Sequence, residues 1–248
     1  MAPGLLPCEE SFFPEEDTVS VRTLIAAAFA IGLAANAGAT TIVPGTADPW
    51  LAGMPNGSTA SLQDIAPGQS PIEVLLFFVP GDAVTFSATG LTDHCPAGSC
   101  GFAGPEGDAV EGSTGHVGGA ENGIGDLIAP IDSLVGVFLG PGQPDLSSAP
   151  GGTLDFSTLA SRDFASLSPL LKQPFFIGDG LRNDGLSVQQ FIVPAGATRL
   201  YLGTMDGFGW WNNSGSFEVT ATTAPEPATI VLVGAGLFGA VRRRVRRR

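Results

Sequence analysis

Glycine and proline interrupt this chain so often that its central part cannot form a long amphipathic helix. The 248 residues include 35 Gly and 20 Pro, with short apolar runs between them. Both residues disfavour helix interiors, whereas short alternating runs between turns are typical of strands. Val84-Thr85-Phe86-Ser87 alternates in this way, so its apolar side chains share one face. The pattern predicts an all-β fold, an antiparallel β-sandwich.

Turn sequences divide the central part into its expected elements. Pro80-Gly81-Asp82 and Pro194-Ala195-Gly196 each separate two apolar runs. The predicted strands are Ile72–Val79, Ala83–Ala88, Leu134–Leu139, Gln190–Val193, Thr198–Leu202 and Ser216–Thr220. The segment Ser157–Leu171 is predicted to be helical, with Asp163 or Ser161 as its cap.

The remaining segments of the central part are expected to be irregular. Residues 40–69 form an N-terminal arm with room for one short strand, and residues 103–122 form a Gly-rich surface loop. Gly178–Gly185 lacks the full spacing of a calcium loop and is interpreted as a hairpin turn. We expect residues 40–220 to form one domain and residues 221–227 to link it to the C-terminal tail.

Residues 1–39 are interpreted as a leader and a secretory signal peptide. An apolar run follows Arg22, and small residues at 35–39 provide A-x-A-like sites, so cleavage is expected after Ala37 or Ala39. Residues 1–18 carry five acidic residues and no basic one, unlike the positive start of a signal peptide. We therefore hypothesise that translation starts at Val19 or Val21. The alternative is a genuine acidic leader, and N-terminal sequencing of the precursor distinguishes the two.

The central part is strongly acidic. It holds 18 of the 24 acidic residues but only four of the 11 basic ones, for a formal charge of −14. Phosphate binding requires clustered Lys and Arg, so no nucleic-acid partner is expected. Cations are the partners that this charge favours.

The C-terminal tail has three parts in a fixed order. Pro225-Glu226-Pro227 precedes an apolar run of 14 residues, 228–241, and six Arg occupy the last seven positions. The two prolines keep the tripeptide extended and accessible. The run is shorter than the roughly 20 residues of a comfortable membrane span, but arginine stems can snorkel and extend it. The arginines hold their end in the cytoplasm, so the rest of the chain is exported.

This order closely resembles the PEP-CTERM sorting signal of bacteria. The resemblance covers residues 224–248, and we assign residues 221–248 to a sorting tail with a single transmembrane helix. It implies an exosortase-type processing enzyme as a partner and Pro225, Glu226 and Pro227 as the sorting motif. It also implies transient residence in the inner membrane of a Gram-negative bacterium, then the cell surface or extracellular matrix. The alternative is an ordinary tail anchor or a chance apolar C-terminus.

Cys95 and Cys100 are the only cysteines of the central part. In an oxidising compartment they can close a small loop as a disulfide, and two free thiols are the alternative. A zinc site is a weaker interpretation, because only His94 stands beside them.

The loop from Gly203 to Phe217 holds the densest group of polar side chains. Asp206 is followed by Asn212 and Asn213 across a Gly-rich segment. Calcium prefers six to eight oxygen ligands from carboxylates, amides and backbone carbonyls, and this loop can supply several. Trp211 and its aromatic neighbours could pack on sugar rings. The alternative is that Asp and Asn only form turns here and that the tryptophans are core residues.

Asn212-Asn213-Ser214-Gly215-Ser216-Phe217 before a final strand, with an aspartate upstream, resembles the calcium and galactose loop of the PA-IL family of bacterial lectins. The resemblance implies a galactose-binding-like jelly roll in which calcium bridges protein and sugar. It implies Asp206, Asn212 and Asn213 as side-chain ligands, and Trp210 and His94 as backbone carbonyl ligands. Asp206, Trp211 and Asn213 would contact the glycan.

Two departures from the lectin pattern affect specificity. The loop is one residue shorter between the aspartate and the amide pair, and Ala129-Pro130-Ile131-Asp132 stands where the family has a sugar-contacting histidine segment. Calcium binding can therefore persist without galactose specificity.

The sequence favours a binding protein over an enzyme. Neither a G-x-S-x-G elbow nor an H-E-x-x-H pair occurs, and no pair of carboxylates is singled out for glycoside hydrolysis. We expect an exported surface or matrix protein that binds a glycan or exopolysaccharide through calcium. The alternative is a structural matrix component with no specific ligand.

Overall fold

The longest strand pairing joins two 11-residue strands, β5 (Ala83–Asp93) and β14 (Ser214–Ala224), along their whole length. β1 (Gly38–Pro44) pairs with the other edge of β14. These strands belong to a computed structural model that describes residues 38–60 and 63–224.

Two larger sheets and two smaller ones contain all of the described strands. The others are β2 (Thr59–Ala60), β3 (Asp64–Ile65), β4 (Ile72–Glu73), β6 (Ser113–Gly115), β7 (Leu127–Pro130), β8 (Leu134–Leu139), β9 (Leu154–Asp155), β10 (Ser166–Leu167), β11 (Pro174–Phe176), β12 (Gln190–Ile192) and β13 (Arg199–Thr204). The five-stranded sheet has the order β1-β14-β5-β12-β10, and the four-stranded sheet β11-β8-β13-β4. The smaller sheets are β2-β3 and β6-β7-β9. α1 (Leu159–Arg162) is the one α-helix of the described residues.

Alternation decides which face of β14 is buried. Phe217, Val219 and Ala221 are fully buried, whereas Glu218 between them is exposed. Successive side chains of a strand point to opposite faces, so this strand covers the core with one face and meets solvent with the other. By contrast, every residue of β8 is buried, which fits its position between β11 and β13.

Aromatic rings connect the two larger sheets through one core. Phe191 of β12 contacts Phe86 of β5, with ring centroids 5.1 Å apart, and Phe175 of β11 at 5.3 Å. Phe175 in turn stacks on Phe138 of β8 at 5.3 Å. The two larger sheets therefore pack face to face, and the all-β prediction is confirmed; the jelly-roll strand order stays a prediction.

The sequence predicted purely antiparallel sheets, and this prediction was wrong. β10 runs parallel to β12, and β7 runs parallel to β9. In both parallel pairs one strand has only two residues, and a long connection separates it from its partner. Such pairings leave no alternation or hairpin signal in the sequence.

Two predicted elements are much shorter than expected. The predicted strand is reduced to Ile72–Glu73: the Val74 N–H still donates to the Leu200 carbonyl of β13 at 2.8 Å, but the Leu76 N–H turns back to the Val74 carbonyl at 2.9 Å. The predicted helix is limited to α1, which Thr158 caps by accepting the Ser161 N–H at 3.0 Å. Both residues predicted as caps take part in capping, although neither is the N-cap: the Ser161 side chain completes the capping box with Thr158, and Asp163 is the C-cap, where Arg182 donates to its carboxylate.

The segments expected to be irregular contain more structure than predicted. The N-terminal arm supplies residues 40–44 of the seven-residue β1 as well as β2 and β3, and the surface loop contains β6. The expected linker begins later, because residues 221–224 continue β14. In the acidic segment Gly178–Gly185, Leu181 bridges to Val188, so the segment turns back on itself as predicted.

Residues 1–37 of the predicted leader and signal peptide, the sorting motif Pro225, Glu226 and Pro227, and the apolar run 228–241 lie outside the described residues, whereas Gly38 and Ala39 begin β1. Within 38–60 and 63–224, no helix is long and apolar enough to cross a membrane.

The core predicts a large effect for Phe191, whose ring is fully buried. Phe191→Ala should lower the free energy of unfolding by about 3–5 kcal/mol, because it leaves a cavity among three rings. Chemical denaturation checks this. The matched control Leu146→Ala, at a residue 79% exposed, should change it by less than about 0.5 kcal/mol. Equal effects would contradict the described core.

Candidate functional site

The loop that carries Asp206 crosses from one larger sheet to the other. β13 ends at Thr204, and β14 begins at Ser214. Between them, Trp210–Asn212 form a 3-10 turn, entered through Gly209 in the left-handed conformation with φ of 81°. The loop therefore closes one end of the fold, and we call its residues 205–213 the cap loop.

A second loop meets the cap loop at the end of β5. Cys95 and Cys100 form a disulfide there. The buried Asp93 carboxylate accepts the N–H groups of Cys95 at 2.7 Å, Cys100 at 3.2 Å and Gly101 at 2.7 Å. The Ser214 hydroxyl also donates to the Cys95 carbonyl at 3.0 Å. Asp93 thus fixes the disulfide loop beside the start of β14.

Asp132 is the site residue that sequence reasoning missed. Its N–H donates to the Met205 carbonyl at 2.7 Å, and the Met205 N–H donates to the Ser133 carbonyl at 2.8 Å. These bonds fix Asp132 beside the cap loop, and its φ of 66° is unusual for a residue other than glycine. The available signal was its place in the segment that replaces the lectin histidine.

His94, Asp132, Asp206 and Asn213 form what we call the buried carboxylate cluster. His94 Nδ1 lies 2.7 Å from Asp132 Oδ2. Asp206 Oδ1 accepts the Gly207 N–H at 2.6 Å, and the Asn213 amide donates to the Gly45 carbonyl at 3.2 Å. His94 belongs to the cluster through its imidazole ring, whereas the lectin resemblance implies its backbone carbonyl as a calcium ligand.

Burial dominates the electrostatics of the two carboxylates. It raises the pKa of Asp206 to about 6, against smaller lowering effects from Asn213, the loop N–H groups and His94. Burial likewise raises the pKa of Asp132 to about 6, partly offset by His94. For His94, burial lowers the pKa, but the hydrogen bond and charge of Asp132 outweigh it and the net pKa is raised. The ionised carboxylates of Asp132 and Asp206 are thus destabilised, because burial removes them from water.

Three buried oxygens on the predicted calcium ligands lack hydrogen-bond partners in the structure. They are Asp206 Oδ2, Asn212 Oδ1 and Asn213 Oδ1. An unpaired buried polar group costs about 1–3 kcal/mol, and the other such side-chain atoms of the described residues lie on Asp48, Ser133 and Gln189. A calcium ion would satisfy carboxylate and amide oxygens directly. The donor set of Asp206, Asn212 and Asn213 therefore fits the ion that the lectin resemblance implies.

The two tryptophans of the cap loop have different environments. Trp210 is fully buried, and its indole N–H donates to the Thr204 carbonyl at 2.9 Å, so its ring belongs to the core. Its own carbonyl accepts the Asn213 N–H at 3.1 Å. Trp211 is 53% exposed and Phe208 is 60% exposed. Of the three aromatic rings on the cap loop, those of Trp211 and Phe208 are the two exposed to a ligand in solvent.

Asp64 of β3 holds the cap loop through hydrogen bonds from two of its backbone N–H groups. Its buried carboxylate accepts the N–H groups of Trp210 at 3.1 Å and Trp211 at 2.8 Å. Burial raises the pKa of Asp64, partly offset by these backbone hydrogen bonds. The short β2–β3 hairpin therefore holds the start of the 3-10 turn through Asp64. The sequence did not signal this role.

The alternative zinc interpretation finds its three residues close together. The ligand atoms of His94, Cys95 and Cys100 lie within 4.8 Å of one another. Zinc binds cysteine as the thiolate, and both sulfurs are joined in the disulfide. The structure therefore favours the disulfide over the zinc site.

Comparison with known proteins identifies the C-terminal tail. Residues 223–248 match the PEP-CTERM protein-sorting motif, which confirms the sorting signal. The motif marks an exported protein that is sorted by exosortase, with surface or membrane association in a Gram-negative bacterium. No curated protein matches the chain, so the lectin resemblance remains a hypothesis.

The raised pKa values predict how stability depends on pH when calcium is removed with EDTA. Because the pKa values of Asp132 and Asp206 are about 6 in the fold and near 3.8 when unfolded, the native state binds more protons between these values. The free energy of unfolding should therefore rise as pH falls from 7 to 5, by on the order of 2 kcal/mol.

Denaturant unfolding at several pH values in EDTA measures this slope. Asp206→Asn should flatten it, because the amide does not titrate. Asp184→Asn is the matched control, since Asp184 is exposed and hydrogen bonds from Ser187 lower its pKa to about 2. A slope that Asp206→Asn leaves unchanged would contradict the electrostatics described here.

Proposed function

We propose that this chain is an exported, non-enzymatic protein of the cell surface or extracellular matrix whose central domain binds carbohydrate through calcium. The observation that carries the proposal is the set of three unpaired buried oxygens on Asp206, Asn212 and Asn213. They lie on the residues that the lectin resemblance implies as side-chain ligands. Asp132, beside Asp206, adds negative charge.

The chemistry of the donor set favours calcium over other common ions. Carboxylate and amide oxygens are hard ligands, which suit calcium, whereas zinc prefers histidine nitrogen and cysteine thiolate. Magnesium binds fewer protein groups and retains its water. Burial raises the pKa of both carboxyl groups. A bound divalent cation would oppose this effect, because a nearby positive charge favours the ionised form of a carboxyl group.

Exposed aromatic rings beside the cluster support a carbohydrate as the ligand. Trp211 and Phe208 stand on the cap loop that holds Asp206. An aromatic ring offers an apolar face to the C–H side of a sugar, while calcium takes hydroxyl oxygens. The absence of the family's histidine segment argues for a glycan other than galactose.

The position of the cluster suits a protein that is tethered by its C-terminal tail. The cap loop precedes β14, and the sorting motif begins at its far end. A strand of 11 residues is roughly 34 Å long, so the cap loop and the tail lie at opposite ends of one strand. A tail held at the membrane would leave the binding site facing outward.

Calcium should raise the thermal stability of the EDTA-treated chain. A ligand at one hundred times its Kd adds about 2.7 kcal/mol when it binds only the native state. Asp206→Asn should abolish the rise, because it removes the only charged ligand on the cap loop. Glu218→Gln, at an exposed acid on β14, is the matched control and should keep the rise. A chain that melts identically with EDTA and calcium would contradict the metal site.

Trp211 should separate glycan binding from calcium binding. Trp211→Ala should lower retention on the recognised polysaccharide by about tenfold, equal to 1.4 kcal/mol, and leave the calcium-induced stabilisation unchanged. Asp206→Asn should lose both. The measurement is retention on a panel of immobilised polysaccharides with and without EDTA. If no polysaccharide is retained in a calcium-dependent manner, the chain is better described as a structural matrix component without a specific ligand.

A further inference from the structure

We propose that an exposed apolar stripe, formed by Leu75, Phe77 and Val79, rests on the lipid surface of the membrane that holds the sorting tail. The inference depends on the sorting motif and is independent of calcium. The stripe presents the most exposed large apolar side chains of its part of the fold, at 88% for Leu75, 82% for Phe77 and 48% for Val79.

The stripe alternates with residues that anchor it to the core. Val74 and Phe78 are 3% and 8% exposed, and the Phe78 ring contacts Phe138 of β8 with centroids 5.8 Å apart. The segment is thus held on the body while every second side chain remains in water. An exposed apolar cluster of this kind on a soluble surface marks an interaction site.

The stripe adjoins the point where the chain enters its tail. The Thr223 hydroxyl donates to the Phe77 carbonyl at 3.3 Å, and Ala224, the last described residue, pairs with Ala83 of β5. The stripe and the last described residues, Thr223 and Ala224, therefore lie side by side, at the end of β14 that is opposite the buried carboxylate cluster.

Chain length limits how far the stripe can stand from the bilayer. The apolar run begins at residue 228, four residues after Ala224. Four residues span at most about 14 Å, and the headgroup layer is itself roughly 5–7 Å thick on each side. When the apolar run is in the membrane, the stripe must lie at the lipid surface or directly above it.

Charge selects the kind of lipid surface. Residues 70–82 contain no Lys or Arg, and Glu73 and Asp82 are acidic. Glu73 accepts the Tyr201 hydroxyl at 2.8 Å, and Asp82 accepts the Val79 N–H at 2.8 Å. The stripe therefore has no attraction to anionic headgroups, and its contact with zwitterionic lipid is apolar.

Site-specific photocrosslinking of the full chain tests this contact. A benzophenone amino acid replaces Leu75 or Phe77, and the full chain is reconstituted at low density into vesicles of zwitterionic phosphatidylethanolamine and phosphatidylcholine. The same replacement at Val110 is the matched control, because Val110 is 91% exposed and lies in the loop that follows the disulfide. After irradiation, mass spectrometry counts the lipid adducts at each position.

Positions 75 and 77 should give roughly tenfold more lipid adduct than position 110, because the tail keeps the stripe at a high effective concentration of lipid. The yield should also survive high salt, since the contact is apolar. Equal adduct yields at all three positions would overturn the proposal. So would adducts between two copies of the chain, which would make the stripe a dimer surface, or a yield that collapses at high salt.

Discussion

The antiparallel pairing of β5 with β14 is the constraint on which the rest of the structure depends. Its 11 residue pairs fix both ends of the molecule at once. At one end, Asp93 faces Ser214, and the disulfide loop meets the cap loop. At the other, Ala83 faces Ala224, where the chain enters its sorting tail. A slip of one residue would turn the buried side chains of both strands outward.

At the end of this pairing where Asp93 faces Ser214, the structure buries two carboxylates, which is energetically unfavourable and requires a functional explanation. Asp132 and Asp206 are both almost fully buried, and no arginine or lysine neutralises them among the charges that act on their pKa values. Backbone hydrogen bonds to Met205 fix the turn at Asp132, and the Asp64 carboxylate holds the cap loop by accepting the Trp210 N–H, so neither of these contacts uses the carboxylates of Asp132 and Asp206. A divalent cation would offset the repulsion and satisfy the unpaired oxygens with one ligand.

Local patterns in the sequence predicted most of the longer strands and the sorting motif of the tail, but not the contacts between distant segments. Leu134–Leu139 has the predicted bounds, because a continuous apolar run between turns is a local signal. β1 was missed as a full strand, since its pairing with β14 spans almost the whole chain. Asp206, Asn212 and Asn213 could be named from one loop. Asp64 could not, and the one signal for Asp132 was its place in the segment that replaces the lectin histidine, because tertiary hydrogen bonds bring both residues to the cap loop.

The most direct test of the calcium site is an anomalous difference map from crystals of the chain grown with calcium. The account predicts a peak about 2.3–2.6 Å from Asp206 Oδ2 and from the amide oxygens of Asn212 and Asn213. The peak should vanish from crystals washed in EDTA. A well-ordered cap loop in which these oxygens instead bind water, with no anomalous peak, would contradict the account.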